Sequence, residues 1–180
     1  HKPVDLSDRE HFKVHIAKDT NQLFISKPIL GRASGKWSIQ MTRRINKPDG
    51  SFGGVVVISV DPFYFSNFYG GVELGAGGLV SLIGRDGIVR ARMAGEDRSV
   101  GQDMTGFPTF KAMLANRSGT FHTSSRLDGV RRFYAYRDLG EYPLIVSVGV
   151  GEDDALAGYH ERRIGYFAYA VATSLVVLLL

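Results

Sequence analysis

The stretch "GKWSIQMTRRINKPDGSFGGVVVISVD", Gly35 to Asp61, decides the fold. Its first half alternates. Trp37, Ile39, Met41 and Arg43 fall on one face, and Lys36, Ser38, Gln40, Thr42 and Arg44 on the other. Period-two alternation marks a strand with two unlike faces. "NKPDGS" then breaks the pattern with Asp49-Gly50, a dipeptide suited to the positive φ of a tight turn. "FGGVVVISVD" follows as a nearly continuous apolar strand. The two halves predict an antiparallel hairpin.

Toward the N-terminus, "LSDREHFKVHIAK" reads as a short helix, with Ser7 as cap and Glu10 completing a capping box. Phe12 and Ile16 then share a face. Two short extended pieces, "LFIS" and "PILG", lie between this helix and the hairpin. Toward the C-terminus, "DPFYFSNFY" is an aromatic helix with Pro62 in its first turn. "GGVELGAGG" reads as a hinge-like linker. A second round begins with "LVSLIGRDGIVRARM", a hairpin on Asp86-Gly87, and the helix "GFPTFKAMLAN". A third hairpin, on Asp128-Gly129, and the closing strand "YPLIVSVGVG" complete it. "EDDALAGYHERR" opens an exit helix, its acids placed where the helix dipole favours them. Antiparallel hairpins interleaved with short helices predict an α+β fold. The first round looks incomplete, because a sheet of two good strands buries little.

The chain ends "RRIGYFAYAVATSLVVLLL". From Ile164 to Leu180 there are 17 residues without a charge. As a helix these span about 25 Å, against roughly 30 Å of bilayer hydrocarbon. A buried core helix would show one apolar stripe, whereas "VATSLVVLLL" is apolar all round. Tyr166, Phe167 and Tyr169 head the run, as in an interfacial aromatic belt. The expectation is a truncated membrane span, with the chain cut from a longer protein at both ends.

Composition closes several routes. The net charge of +4 and pI near 9.4 come from basic residues spread along the chain, without the patch or module of a nucleic-acid binder. There is no cysteine, hence no disulfide, thiolate metal site or thiol nucleophile. No Gly-x-Ser-x-Gly, Walker-type loop or His-Glu-x-x-His occurs, and neither enzyme activity nor a cofactor is expected. His11 and His15 have a metal-compatible spacing, but without a third ligand they read as surface histidines. Tyr134 and Tyr136 alternate with Phe133 and read as core or interface, with pocket lining as the alternative.

The order "SDREHF", "GKWSIQMTRRINKPDGSFGGVVVISVD", "GGLVSLIGRDGIVRAR", "FKAML", "DGVRRFYAYRDL", "YPLIVSVGV" and a membrane helix resembles the extracytoplasmic double-Cache (PDC-type, PAS-like) sensor domain. The resemblance spans about residues 5–163. It implies a partial membrane-distal lobe over 1–70, a membrane-proximal lobe over 71–152, a juxtamembrane helix over 153–163 and a truncated transmembrane helix over 164–180. It further implies an inner-membrane protein with residues 1–163 in the periplasm or outside the cell. A small-molecule ligand, a homodimer, and a diguanylate cyclase or histidine kinase output module beyond the span are expected.

In such folds amino-acid-binding relatives use an Arg-x-Trp-Tyr run for the ligand carboxylate and a strand-terminal Asp for its ammonium. Here "REHF" keeps Arg9, but His11 replaces the Trp and Phe12 the Tyr. Asp61 matches the acid. A guanidinium forks onto a carboxylate with two bonds, so the implied ligand is a carboxylate or amino-acid-like anion. Trp37 and Arg43 join Arg9, Phe12 and Asp61 as candidate ligand residues. Four of the five have a plainer reading: an ion pair from Arg9 to Asp5 or Asp8, a Trp37 in the core or pocket wall, a snorkelling Arg43, an N-cap Asp61. A ligand-independent ectodomain is the alternative function.

Overall fold

The computed structural model describes residues 4–32, 34–69 and 72–179. Gly70 and Gly71 of the expected linker, Ala33 and the terminal Leu180 lie outside the described residues. The architecture is α+β, as expected, with two antiparallel sheets. In the first, β1 (Phe24–Ile25), β2 (Ile29–Leu30) and β4 (Phe52–Val60) all pair with β3 (Trp37–Asn46). The second has six strands: β5 (Leu79–Gly84), β6 (Val89–Ala94), β7 (Asp97–Ser99), β8 (Ser118–Ser124), β9 (Arg131–Asp138) and β10 (Leu144–Gly151). Their order is β7-β6-β5-β10-β9-β8. The helices are α1 (Glu10–Ala17), α2 (Pro62–Tyr69), α3 (Pro108–Ala115) and α4 (Glu152–Leu179).

All three expected hairpins form. Gly50, Gly87 and Gly129 carry φ of +80°, +82° and +74°, a region that glycine enters without the Cβ clash other residues meet. Two apolar clusters share the core. Ile83, Val89, Ile145 and Tyr136 pack with Phe110 and Met113 of α3. On the opposite face of the same sheet, Leu82, Ala91 and Leu144 pack against Ile25 and Ile39 of the first sheet. The two sheets therefore share a core. β4 is the exception, leaving Val56, Val57 and Ile58 exposed.

Four expectations need correction. First, α1 starts at Glu10, with Arg9 at its N-cap and no side-chain cap bond. Ser7 is too early to cap it, and its own N–H is taken by Asp5 Oδ1 at 2.9 Å. Second, the buried face of α1 carries His11 and His15, while Ile16 is 53% exposed. The face of β3 beneath offers Ser38, Gln40 and Thr42, all buried. A polar surface selects side chains that can hydrogen-bond to it. Third, Trp37 is not core but 45% exposed at the start of β3. Fourth, the linker is no free hinge. Gly77 donates its N–H to Asp154 Oδ2 at 2.7 Å, and its carbonyl accepts from Arg132 Nε.

α4 runs unbroken from the second sheet. It is not a core helix: Tyr166, Phe167, Tyr169, Val171 and Leu175 through Leu178 are exposed. Among the described residues no helix is long and apolar enough to cross a membrane.

Candidate ligand-binding site

The second sheet curls beneath α3 around a cavity of about 170 Å³. Its floor comes from one face of β5, β6, β8, β9 and β10, and its roof from Met104, Phe107 and Met113. Phe121 and Tyr134 wall it, their rings stacked at 4.7 Å. Gly149 lies opposite Tyr134. A Cβ there would come within 3.2 Å of the tyrosine ring, so glycine lets the aromatic lie flat on the sheet.

A bulge aims the arginines. The β5–β6 register shifts between Leu82 and Ile83, which pair with Ala91 and Val89 and leave Arg90 without an opposite residue. An extra residue turns the strand that follows. Arg92 consequently reaches the cavity, while Arg90 pairs with Asp86 at 2.9 Å. Both guanidiniums are buried.

Arg92 belongs to a four-charge cluster. Its Nη1 donates to Asp97 Oδ2 at 2.9 Å and its Nη2 to Asp128 Oδ2. Asp128 also takes both Nη groups of Arg132, at 2.8 and 2.9 Å. Burial alone would raise the Asp128 pKa, but hydrogen bonds from Arg132, Ser125 and the Val130 N–H outweigh it and hold the carboxyl at about 2. Arg92 and Arg132 are only 4% and 2% exposed. Removal of either charge from such a cluster strands its partners.

Not every polar atom is satisfied. Among the described residues, four buried side-chain atoms have no hydrogen-bond partner: Arg90 Nε, Arg92 Nε, Gln102 Oε1 and Ser147 Oγ. Two of these four belong to residues lining the cavity. Buried polar groups normally find partners, so two unpaired atoms on residues lining one cavity mark it as a candidate site for something polar and small.

Comparison with known proteins supports the α+β reading of the fold. Residues 62–149 match the histidine kinase sensor domain of the dCache_1-like family. The extracellular domain of rpHK1S-Z16, described as a histidine kinase, is 37% identical with a TM-score of 0.77, covering 86% of this chain and 64% of that one. The chain is thus similar to Cache-type sensor domains, with the family match confined to residues 62–149. The periplasmic sensory domain of the Campylobacter jejuni chemoreceptor Tlp1 shares the fold at 18% identity, TM-score 0.65, over 82% of this chain and 56% of that one. So does the ligand-binding domain of the Pseudomonas fluorescens chemoreceptor CtaA, solved with L-leucine, at 15% identity, TM-score 0.56, over 87% and 64%. The chain thus spans between 56% and 64% of the length of these structures. No curated protein matches it.

The fold scatters the five residues singled out from the sequence. Arg43 sits six residues along β3 from Trp37, roughly 20 Å in an extended strand. It is exposed and borders a separate open groove with Arg85 and Tyr142. Asp61 is exposed and accepts from the Phe63 N–H at 2.8 Å, as a helix-capping carboxylate does. Phe12 packs edge-on against Phe52 at 5.4 Å. Arg9 is half-buried and makes no ion pair among the described residues. Asp8, one expected partner, is instead forked by Arg32 at 2.8 and 3.1 Å.

Beneath α1 a closed polar network fills the space. Thr42 donates its only hydroxyl proton to the His11 carbonyl, so at 2.9 Å it must accept from His15 Nε2–H. Gln40 bonds Ser38 and Ser59 through its amide. Burial lowers the pKa of both histidines, outweighing the Thr42 hydrogen bond at His15 and joined by the Arg9 charge at His11. They are neutral at pH 7 and not surface residues. Among the described residues no cluster suits a metal ion. Arg44, on the same face of β3, caps this network by donating to Asn46 Oδ1 and the His15 carbonyl.

Sequence reading missed Arg92, Asp128 and Ser147. The available signals were two arginines in the short run "VRARM" and a lone serine inside "LIVSVGVG".

Proposed function

We propose that this Cache domain is the extracytoplasmic input of a membrane-bound signalling protein. A small carboxylate or amino-acid-like anion enters the cavity beneath α3, and its occupancy is passed through α4 to an output module of histidine kinase or diguanylate cyclase type. One observation carries the reading. Arg92, whose Nε alone lacks a partner, belongs to a chain of part-buried contacts that ends on the exit helix: Arg92 to Asp128, Asp128 to Arg132, Arg132 to the Gly77 carbonyl, and the Gly77 N–H to Asp154 in the first turn of α4. A ligand biases such a chain only through its differential affinity for two arrangements.

The apolar side chains exposed along α4 support lipid or a second copy of the helix as its surroundings. A homodimer gives a shifting helix something to move against. Arg9, Phe12, Trp37, Arg43 and Asp61 would then serve a ligand on the first sheet only with residues from beyond the described ones.

The test is thermal unfolding of the full chain with amino acids, dicarboxylates, monocarboxylates and polyamines. A compound at a hundred times its Kd stabilises by about 2.7 kcal/mol, which raises Tm by roughly 5–10 °C for a domain of this size. The second reading is a ligand-independent ectodomain. It is favoured by His11 and Phe12 at the motif's aromatic positions and by the closed network under α1. A flat Tm across the whole panel would establish it in place of sensing.

A further inference from the structure

The floor of the cavity carries one polar row. Ser147 of β10 lies opposite Ser81 of β5, and Ser81 lies opposite Arg92 of β6. Residues directly opposite on adjacent strands stand about 5 Å apart on the same face. Three polar side chains therefore cross the floor in line, within an otherwise largely apolar enclosure. Ile83 and Val89 lie to one side of the row, and Met104, Phe107 and Met113 stand above.

The chemistry of the row is one-sided. Arg92 Nε and Ser147 Oγ are the unsatisfied atoms, and both can donate. Their residues are 3% and 2% exposed. Among the described residues no Asp or Glu lines the cavity. Asp97 and Asp128 hold the two Nη groups of Arg92 and fix the plane of its guanidinium. Those two acids balance Arg92 and Arg132. Arg126, at the cavity wall with its guanidinium 5.5 Å from the Phe107 ring centre, is paired with no carboxylate among the described residues. The site thus presents donors, one uncompensated cation and apolar walls.

We infer that the cavity selects a small monocarboxylate with an apolar tail and rejects the corresponding α-amino acid. This rests on the reading of the cavity as the sensor's ligand site. A carboxylate only accepts hydrogen bonds. One oxygen takes the Arg92 Nε–H and the other the Ser147 hydroxyl, with Arg126 balancing the charge. The tail lies against Met104, Phe107 and Met113. An α-ammonium would lose its water here and meet no carboxylate, the costly case of a buried unpaired charge. A second carboxylate would face the apolar roof.

The discriminating pair is pentanoate and L-norvaline, which differ only by the ammonium group, with pentanamide as the uncharged control. Calorimetric titration of the full chain at pH 7 is expected to give pentanoate an affinity about a hundredfold above the other two. Arg92 variants risk unfolding the charge cluster, so Ser147→Ala carries the residue test. Its hydroxyl has no partner to lose within the fold, and pentanoate should bind about tenfold more weakly with an unchanged Tm of the free protein. Norvaline binding as tightly as pentanoate would overturn the inference while leaving the sensing reading intact. An unaltered pentanoate affinity in Ser147→Ala would also overturn it. Failure of every compound in the wider panel would overturn the sensing reading and this inference with it.

Discussion

Asp128→Asn removes one charge from the centre of the cluster and nearly nothing from its shape. Its carboxylate binds Arg132 through two bonds and Arg92 through a third, and its side chain is 23% exposed. The native carboxyl titrates at about 2 against an ordinary 3.8. That difference, at 1.36 kcal/mol per unit, is about 2 kcal/mol of stability at neutral pH. Loss of one partner from a buried ion pair costs about 3–5 kcal/mol, and partial exposure reduces it. Urea unfolding at pH 7 should therefore show the variant about 2–4 kcal/mol less stable. A depressed acid pKa stabilises fully above the unfolded value of 3.8, and the contribution fades as pH falls through 2. By pH 3 about half of the native advantage should be gone, and the two proteins should converge. A difference below about 0.5 kcal/mol at pH 7, the range of an ordinary surface substitution, would refute the cluster's role. So would a gap as wide at pH 3 as at pH 7.

The link to the exit helix makes its own predictions. Asp154→Ala deletes the acceptor of the Gly77 N–H and should cost about 1–2 kcal/mol, with faster amide exchange at Gly77; Asp153→Ala, on the exposed side of the same turn, should leave that exchange unchanged. Gly75→Ala places a methyl 2.4 Å from Asp154 Cγ at a φ of +77°, so a loss of about 1–3 kcal/mol is expected by urea titration. His11 and His15 have pKa values lowered by burial, so they bind fewer protons folded than unfolded. Stability should fall as pH drops below 6.5, and ring-proton NMR should give both a midpoint under that value.

Local chemistry made much of the fold legible. Each Asp-Gly pair needs one positive-φ residue, and glycine supplies it at Gly50, Gly87 and Gly129, so the hairpins follow from short range alone. The alternation of β3 likewise reveals two faces. It does not reveal what covers them. Ile39 and Met41 meet the second sheet, while Thr42 meets α1 and Gln40 is buried beside it, so the strand is covered on both sides and its polar face is not solvent. The same long-range fact turns His11 and His15 inward and Ile16 outward. The cavity was harder still to read. Ser81, Arg92 and Ser147 are separated by up to 66 positions and become neighbours only through the β6-β5-β10 order. Which arginine of "VRARM" reaches the cavity depends on one bulge, and period two alone does not predict a bulge.

Arg92 joins two demands in one rigid group. Its Nη atoms are committed to Asp97 and Asp128, and its Nε is the donor left for an occupant of the cavity. The guanidinium is planar, so a rotation that improves the bond at Nε alters both bonds at Nη. Asp128 cannot follow freely, because both its oxygens are forked by Arg132, whose Nε in turn holds the Gly77 carbonyl. Gly77 has little room of its own. A Cβ on it would lie 3.0 Å from Asp154 Oδ2 and 3.1 Å from the Gly151 Cα, at the junction of β10 with α4. Close packing leaves such a contact with discrete arrangements rather than a continuous range. Under the proposed function, occupancy of the cavity would reach α4 by repacking this junction, and the glycines expected to act as a hinge form instead the surface against which the helix is set.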